Sequence, residues 1–131
     1  MSKHPLEIDS GVIIVEVTLT GRLKTIPLKM VIDTGASITT IPKEAALAIG
    51  CDPLKSKRSV EMITASGTEY SPVVKVPILR FFNFELKNVE VICHTLPPQA
   101  TVSGLLGLNV LKYFRNVLDF PAKFLEIVKP G

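Results

Sequence analysis

The chain has 131 residues, which suits a single domain over residues 1–131 that buries one core without metals or disulfides. Apolar residues make up 47%, which excludes a disordered chain, and the net charge of +3 is spread through a sequence of mixed sign. With no Trp and only two Tyr, a surface for stacking nucleic-acid bases is hard to build, so no nucleic-acid partner is expected.

The elements follow in chain order. Ile13, Val15, Val17 and Leu19 alternate with Glu16, Thr18 and Thr20, the pattern of a strand with one buried face. Thr20-Gly21-Arg22 reads as a turn, with Gly21 free to take positive φ. A second strand runs from Leu23 to Ile32, and Pro27 marks an edge or an irregularity in it. Pro42 to Ile49 is the best helix. Pro42 suits the first helical position, Ile41, Ala45, Ala48 and Ile49 share a face, and Gly50 stops it. Arg58 to Thr64 and Glu69 to Leu79 read as strands around the turn Ala65-Ser66-Gly67-Thr68. The chain turns again at Phe81 to Phe84, and Glu85 to His94 is a further strand with Val89, Val91 and Cys93 on one face. Leu96 to Ser103, with Pro97-Pro98, is a loop. Leu108 to Arg115 is a short helix with Leu111 and Phe114 inward. Val117 to Phe120 and Lys123 to Val128 are the last strands. Many short strands with two small helices predict an all-β barrel.

The basic run Lys55, Lys57, Arg58 reads as a solvated loop. Cys51 and Cys93 lack metal-ligand spacing and read as free thiols of a reducing compartment. Cys93 and His94, adjacent on a strand, point to opposite faces and could not act together. The first residues carry no apolar stretch of a secretory signal, and no run reaches the roughly eighteen apolar residues of a membrane span. The expectation is a cytoplasmic protein without a membrane span, cofactor or metal.

The sharpest feature is Asp33-Thr34-Gly35-Ala36-Ser37 after the apolar strand end Met30-Val31-Ile32. A carboxylate sits where a strand breaks into a tight turn, and Gly35 can bring its N–H to the carboxylate oxygens. Alone, Asp-Thr-Gly marks many ordinary turns. Here it stands in a longer pattern, with the hairpin Ile63 to Glu69 further on and Ser103-Gly104-Leu105-Leu106-Gly107-Leu108 near the carboxyl end. Together, over roughly Gly11 to Val128, these segments resemble the retropepsin-like aspartic proteases.

The resemblance implies half of a closed acid-protease barrel with a flap hairpin and two short helices. Asp33 is then the catalytic residue, Thr34, Gly35 and Ala36 support its loop, and Ser37, Ala65, Ser66, Gly67 and Thr68 contact substrate. Val31, Ile63, Val73, Leu105 and Leu106 are expected pocket walls. The motif occurs once, so the resemblance implies a homodimer in which two Asp33 carboxylates share a proton, activate a water and hydrolyse a peptide or protein substrate. Thr34 would bond across the two-fold axis, and Phe124 to Val128 would add to the interface. Viral members carry an acidic residue where this chain has Ser37. Pepsin-like relatives commonly carry serine where it has Ala36. The flap has only Gly67, and Tyr70 lies beyond its turn. The alternative is a retropepsin-fold module that dimerises or binds peptide without hydrolysis.

Overall fold

A computed structural model describes residues 2–9, 11–96 and 103–130. Short strands open the chain, β1 (Ser2–Pro5) and β2 (Glu7–Asp9), neither of which the hydrophobic pattern announces. β3 (Val12–Thr20) and β4 (Thr25–Ile32) form the expected hairpin, with Val15, Val17 and Leu19 buried. Pro27 pairs opposite Thr18, and β4's other neighbour engages only Met30 to Ile32, so the proline sits at an unpaired edge. Gly21 does not take positive φ as expected. It is required for space instead: a Cβ there would lie 2.1 Å from the Ile49 carbonyl oxygen.

β5 (Thr39–Ile41) leads into α1 (Lys43–Ile49). Pro42 is the extended N-cap and not the first helical residue, and Gly50 closes the helix at φ 97°. The helix buries Ala45, Ala46 and Ile49, so Ala46 takes the place expected of Ala48. A 3-10 turn (Pro53–Lys55) follows, capped by Asp52. β6 (Ser59–Thr64) and the long β7 (Gly67–Phe81) make the projecting hairpin, and β8 (Phe84–Cys93) returns along β7. Pro97 and Pro98 lie outside the described residues. β9 (Gly104–Leu106) precedes α2 (Leu108–Leu111), which is one turn shorter than the expected helix but still buries Leu111 and Phe114. β10 (Arg115–Asp119) and β11 (Phe124–Val128) end the chain.

The fold is all-β. One sheet runs β2-β3-β4-β9-β5-β8-β7-β6, and β3 also pairs with β7, which closes six of its strands into a ring. The ring encloses a core that includes Val17, Leu19, Met30, Ile41, Ile49, Val76, Val91 and Leu106. Apolar burial at about 25 cal/mol per Å² is the main force holding such a core. The second sheet has the order β1-β11-β10, and its Leu125 and Ile127 join the same core. β11 is therefore flanked on both edges by its own chain. Phe124 to Val128, expected to add to an interface between copies, thus has both of its edges paired within the chain. The free edges of this sheet among the described residues are β1 and β10.

Candidate active site

β4 delivers Asp33 at its carboxyl end, and the chain returns as β5 after a loop of six residues, 33–38. β9 lies between these two limbs, parallel to β4 through Met30–Gly104, Val31–Leu105 and Ile32–Leu106, and antiparallel to β5 at Thr40–Leu105. The two expected segments thus meet in space. The Asp33 N–H donates to the Leu106 carbonyl (3.0 Å), which continues the β4–β9 ladder into the loop. The Gly35 N–H donates to Asp33 Oδ1 (2.9 Å), and the Ala36 N–H to the Asp33 carbonyl (3.2 Å). Ala36 brings no side-chain donor, so Gly35 supplies the one hydrogen bond given to the carboxylate among the described residues.

The loop is pinned from below by α2. The Leu108 and Asn109 N–H groups, which have no partner within the helix, donate to the carbonyls of Ala36 (2.8 Å) and Ser37 (3.1 Å). Gly107 allows this approach, since a Cβ there would lie 2.7 Å from the Ala36 oxygen. Asn109 itself was not singled out in the sequence. Its Oδ1 accepts from both the N–H and the hydroxyl of Thr39 (2.8 Å each), and its Nδ2 donates to the Glu90 carbonyl (2.7 Å). The Thr39 hydroxyl in turn accepts from the Gly107 N–H (3.0 Å). Thr39 is fully buried, so these bonds replace lost water. A polar residue directly after the Leu106-Gly107-Leu108 segment was the available signal, but its partners Glu90 and Thr39 are 19 and 70 positions away.

In front of the loop lies a cavity of about 430 Å³. Asp33, Gly35, Ala36 and Ser37 form its floor, and Val60 and Met62 of β6 overhang it. Ile38, Ile92 and Leu105 supply apolar wall, while Glu61 is the one other charged residue. Of the expected wall residues, only Leu105 lines it. Leu106 and Val31 are buried, Val73 lines a neighbouring groove, and Ile63 is 88% exposed. The turn residues Ala65 and Ser66 and the neighbouring Gly67 and Thr68 stand in solvent and do not reach the cavity. Thr34 faces a separate, largely apolar cavity of about 230 Å³, beside Ile32, Leu108, Leu111 and Leu118, and its hydroxyl has no partner among the described residues.

Cys93 is fully buried, and desolvation, with Cys51 nearby, pushes its thiol up to about 11. His94 instead approaches Glu69, consistent with opposite faces. Among the described residues no group of three or more His, Cys, Asp or Glu is placed to hold a metal. Among the described residues no helix is long and apolar enough to cross a membrane.

A six-stranded ring with one Asp-Thr-Gly loop, a strand threaded between its limbs and an overhanging hairpin defines the retropepsin-like fold. The family described as "gag-polyprotein putative aspartyl protease" matches residues 19–113, and the chain belongs to that family. Comparison with curated proteins finds no match. Among solved structures, the chain is similar to a retropepsin-like aspartic protease from Rickettsia conorii. The TM-score is 0.72 at 21% identity, over 96% of this chain and 89% of that one.

Proposed function

We propose that the chain is an aspartic endopeptidase that works as a homodimer, with Asp33 from each copy forming one site. The observation that carries this reading is the held but open carboxylate. Asp33 Oδ1 takes one backbone hydrogen bond, no cation pairs with it among the described residues, and the residue lines a cavity of about 430 Å³. A purely structural Asp at a turn would have no need of an apolar cleft in front of it.

One carboxylate cannot serve as both base and acid towards the same water. Two copies brought together by a two-fold axis supply both roles, one ionised and one protonated. The ionised carboxylate takes a proton from water, the hydroxide adds to the peptide carbonyl, and the protonated partner donates to the developing oxyanion. The unpartnered Thr34 hydroxyl and the apolar hollow beside it support an interface next to the loop. Ser37 and the β6 residues Val60 and Met62 then flank the peptide, with Ala65 to Thr68 closing over it only when the hairpin bends inward. The two unbridged thiols suit a cytoplasmic setting.

The test is a peptide-library cleavage assay on wild type and Asp33→Asn. Loss of cleavage in the variant, with an unchanged circular dichroism spectrum and oligomeric state, is the expected result. Equal cleavage by both proteins would defeat the reading. Peptide binding without cleavage by wild type would make the chain a binding module.

A further inference from the structure

Lys55, Lys57 and Arg58, read from the sequence as a solvated loop, line a second groove of about 490 Å³. Lys75 joins them from β7, and the two carboxylates of the groove are Asp52 and Glu90. Four cations against two carboxylates leave an excess of two, most of the chain's net charge of +3. The carboxylates are also occupied. Asp52 accepts the Leu54 N–H (2.9 Å), and Glu90 pairs with Arg58. Lys55, Lys57 and Lys75 have no ion-pair partner among the described residues. Val73 supplies an apolar floor.

The position of this groove follows from strand parity. On β7, Val73 and Lys75 point to one face, and their partners on β8 are Ile92 and Glu90. On the other side, the Val73 N–H bonds to the Arg58 carbonyl, and Val60 pairs with Ser71. Arg58, Val60 and Met62 therefore share that face. Val60, Met62 and Ile92 line the Asp33 cavity, while Arg58, Val73, Lys75 and Glu90 line the basic groove. The two hollows are consecutive on one sheet surface, and the step from Val60 to Arg58 is about 7 Å along the strand. The Arg58–Glu90 pair lies at their boundary. Its side chains are 53% and 39% exposed, so it can exchange for another carboxylate at little cost.

We infer that the basic groove extends the substrate cleft and binds an acidic stretch of the peptide, several residues from the bond to be cleaved. This rests on the reading of the Asp33 cleft as a peptide cleft. An extended peptide continuing along the sheet face would place its carboxylates among Lys55, Lys57 and Lys75, with an apolar side chain on Val73. A peptide fits better than a nucleic acid, because no aromatic side chain lines the groove to stack on bases.

The experiment uses the full chain and one peptide cleaved by wild type, resynthesised with paired Glu or paired Gln placed outward from the scissile bond, one position at a time on each side. Binding is measured on Asp33→Asn by fluorescence anisotropy, and kcat/KM on wild type. At one set of positions, at matching distances on either side of the scissile bond because each copy carries one groove, the Glu peptide is expected to outperform its Gln counterpart by about fivefold at low salt, the size expected of two or three exposed ion pairs. The preference should fade at high salt. It should fall to near one in Lys55→Glu/Lys57→Glu/Lys75→Glu, and Glu90→Gln, which frees Arg58, should enlarge it. Cleavage indifferent to Glu or Gln at every position would overturn the groove while leaving the protease reading intact. A Lys-dependent Glu preference in binding, with cleavage that persists undiminished in Asp33→Asn, would overturn the protease reading and leave the groove standing. If the triple variant does not fold, the wild-type peptide series decides alone. A single-stranded oligonucleotide bound as tightly as the Glu peptide, with the same loss in the lysine variants, would make the groove a general polyanion site and overturn the inference.

Discussion

At the scale of single residues, Asn109 is the clearest case of a side chain whose role lies entirely in what it joins. It ties β5, β8 and the start of α2 together directly beneath the Asp33 loop. Asn109→Ala would leave a buried Thr39 N–H and hydroxyl without their acceptor. The expected loss is about 1–3 kcal/mol of stability, measured by urea unfolding at fixed protein concentration, with a fall in kcat/KM as the loop loosens. Asn109→Asp keeps the acceptor but sets a carboxylate oxygen against the Glu90 carbonyl, so it should lie between wild type and alanine. The thiols give a second check. Burial raises both Cys51 and Cys93, the latter to about 11, and only Cys51 is partly exposed. A thiol reagent at neutral pH should label Cys51 slowly and leave Cys93 unmodified until the chain unfolds.

At the scale of elements, β1 pairs along β11 and carries one unusual side-chain contact. His4 stacks on Phe82 with ring centroids 3.7 Å apart and planes 10° from parallel, and Phe82 adopts φ 56° in the turn between β7 and β8. His4 Nε2 is buried without a hydrogen-bond partner, and desolvation lowers the ring's pKa from 6.5, although Glu7 and Glu16 line the same cavity. The folded chain thus binds this proton less readily than the unfolded chain. The stabilising contribution of neutral His4 is present above the unfolded value and declines as pH falls through about 6.5 towards the lowered folded value. The protection factors of the β1–β11 amides, which are corrected for the intrinsic pH dependence of exchange, should therefore fall as pH is lowered from about 7.5 to about 5.5. His4→Phe, which keeps the stack and removes the titration, should flatten that dependence. An identical pH response in both proteins would show that His4 is not its source.

At the scale of the whole molecule, activity should depend on concentration. Activity per chain is expected to fall on dilution through the dimer dissociation constant, and sedimentation should show the monomer appearing over the same range. Thr34→Ala should move both transitions to higher concentration. Because β11 is enclosed by β1 and β10, its edges are occupied within the chain, and the proposed dimer is expected to use the Thr34 face or other free edges. A monomer with full specific activity at every dilution would contradict the dimer.

The sequence by itself determined the fold class, the Asp33 motif and the order of most strands, because these reside in local signals. Period-two alternation in Val12 to Thr20, Gly50 after a short apolar helix, and Asp-Thr-Gly after an apolar strand are all read within a few residues. Only the tertiary structure decided the rest. β1 and β9 are four and three residues long and exist through pairing with distant strands, and β2, which pairs with the adjacent β3, is only three residues long, too short to show a period. Gly21 was legible as a turn residue, yet its reason is the carbonyl of Ile49, twenty-eight positions away. The cleft wall fell to Val60 and Met62 in place of the turn at Ala65 to Thr68, because the twist and reach of a hairpin are set by the sheet it leaves. The basic run became one side of a groove only when Lys75 and Glu90 were folded beside it, since charge acquires a direction from the backbone that carries it.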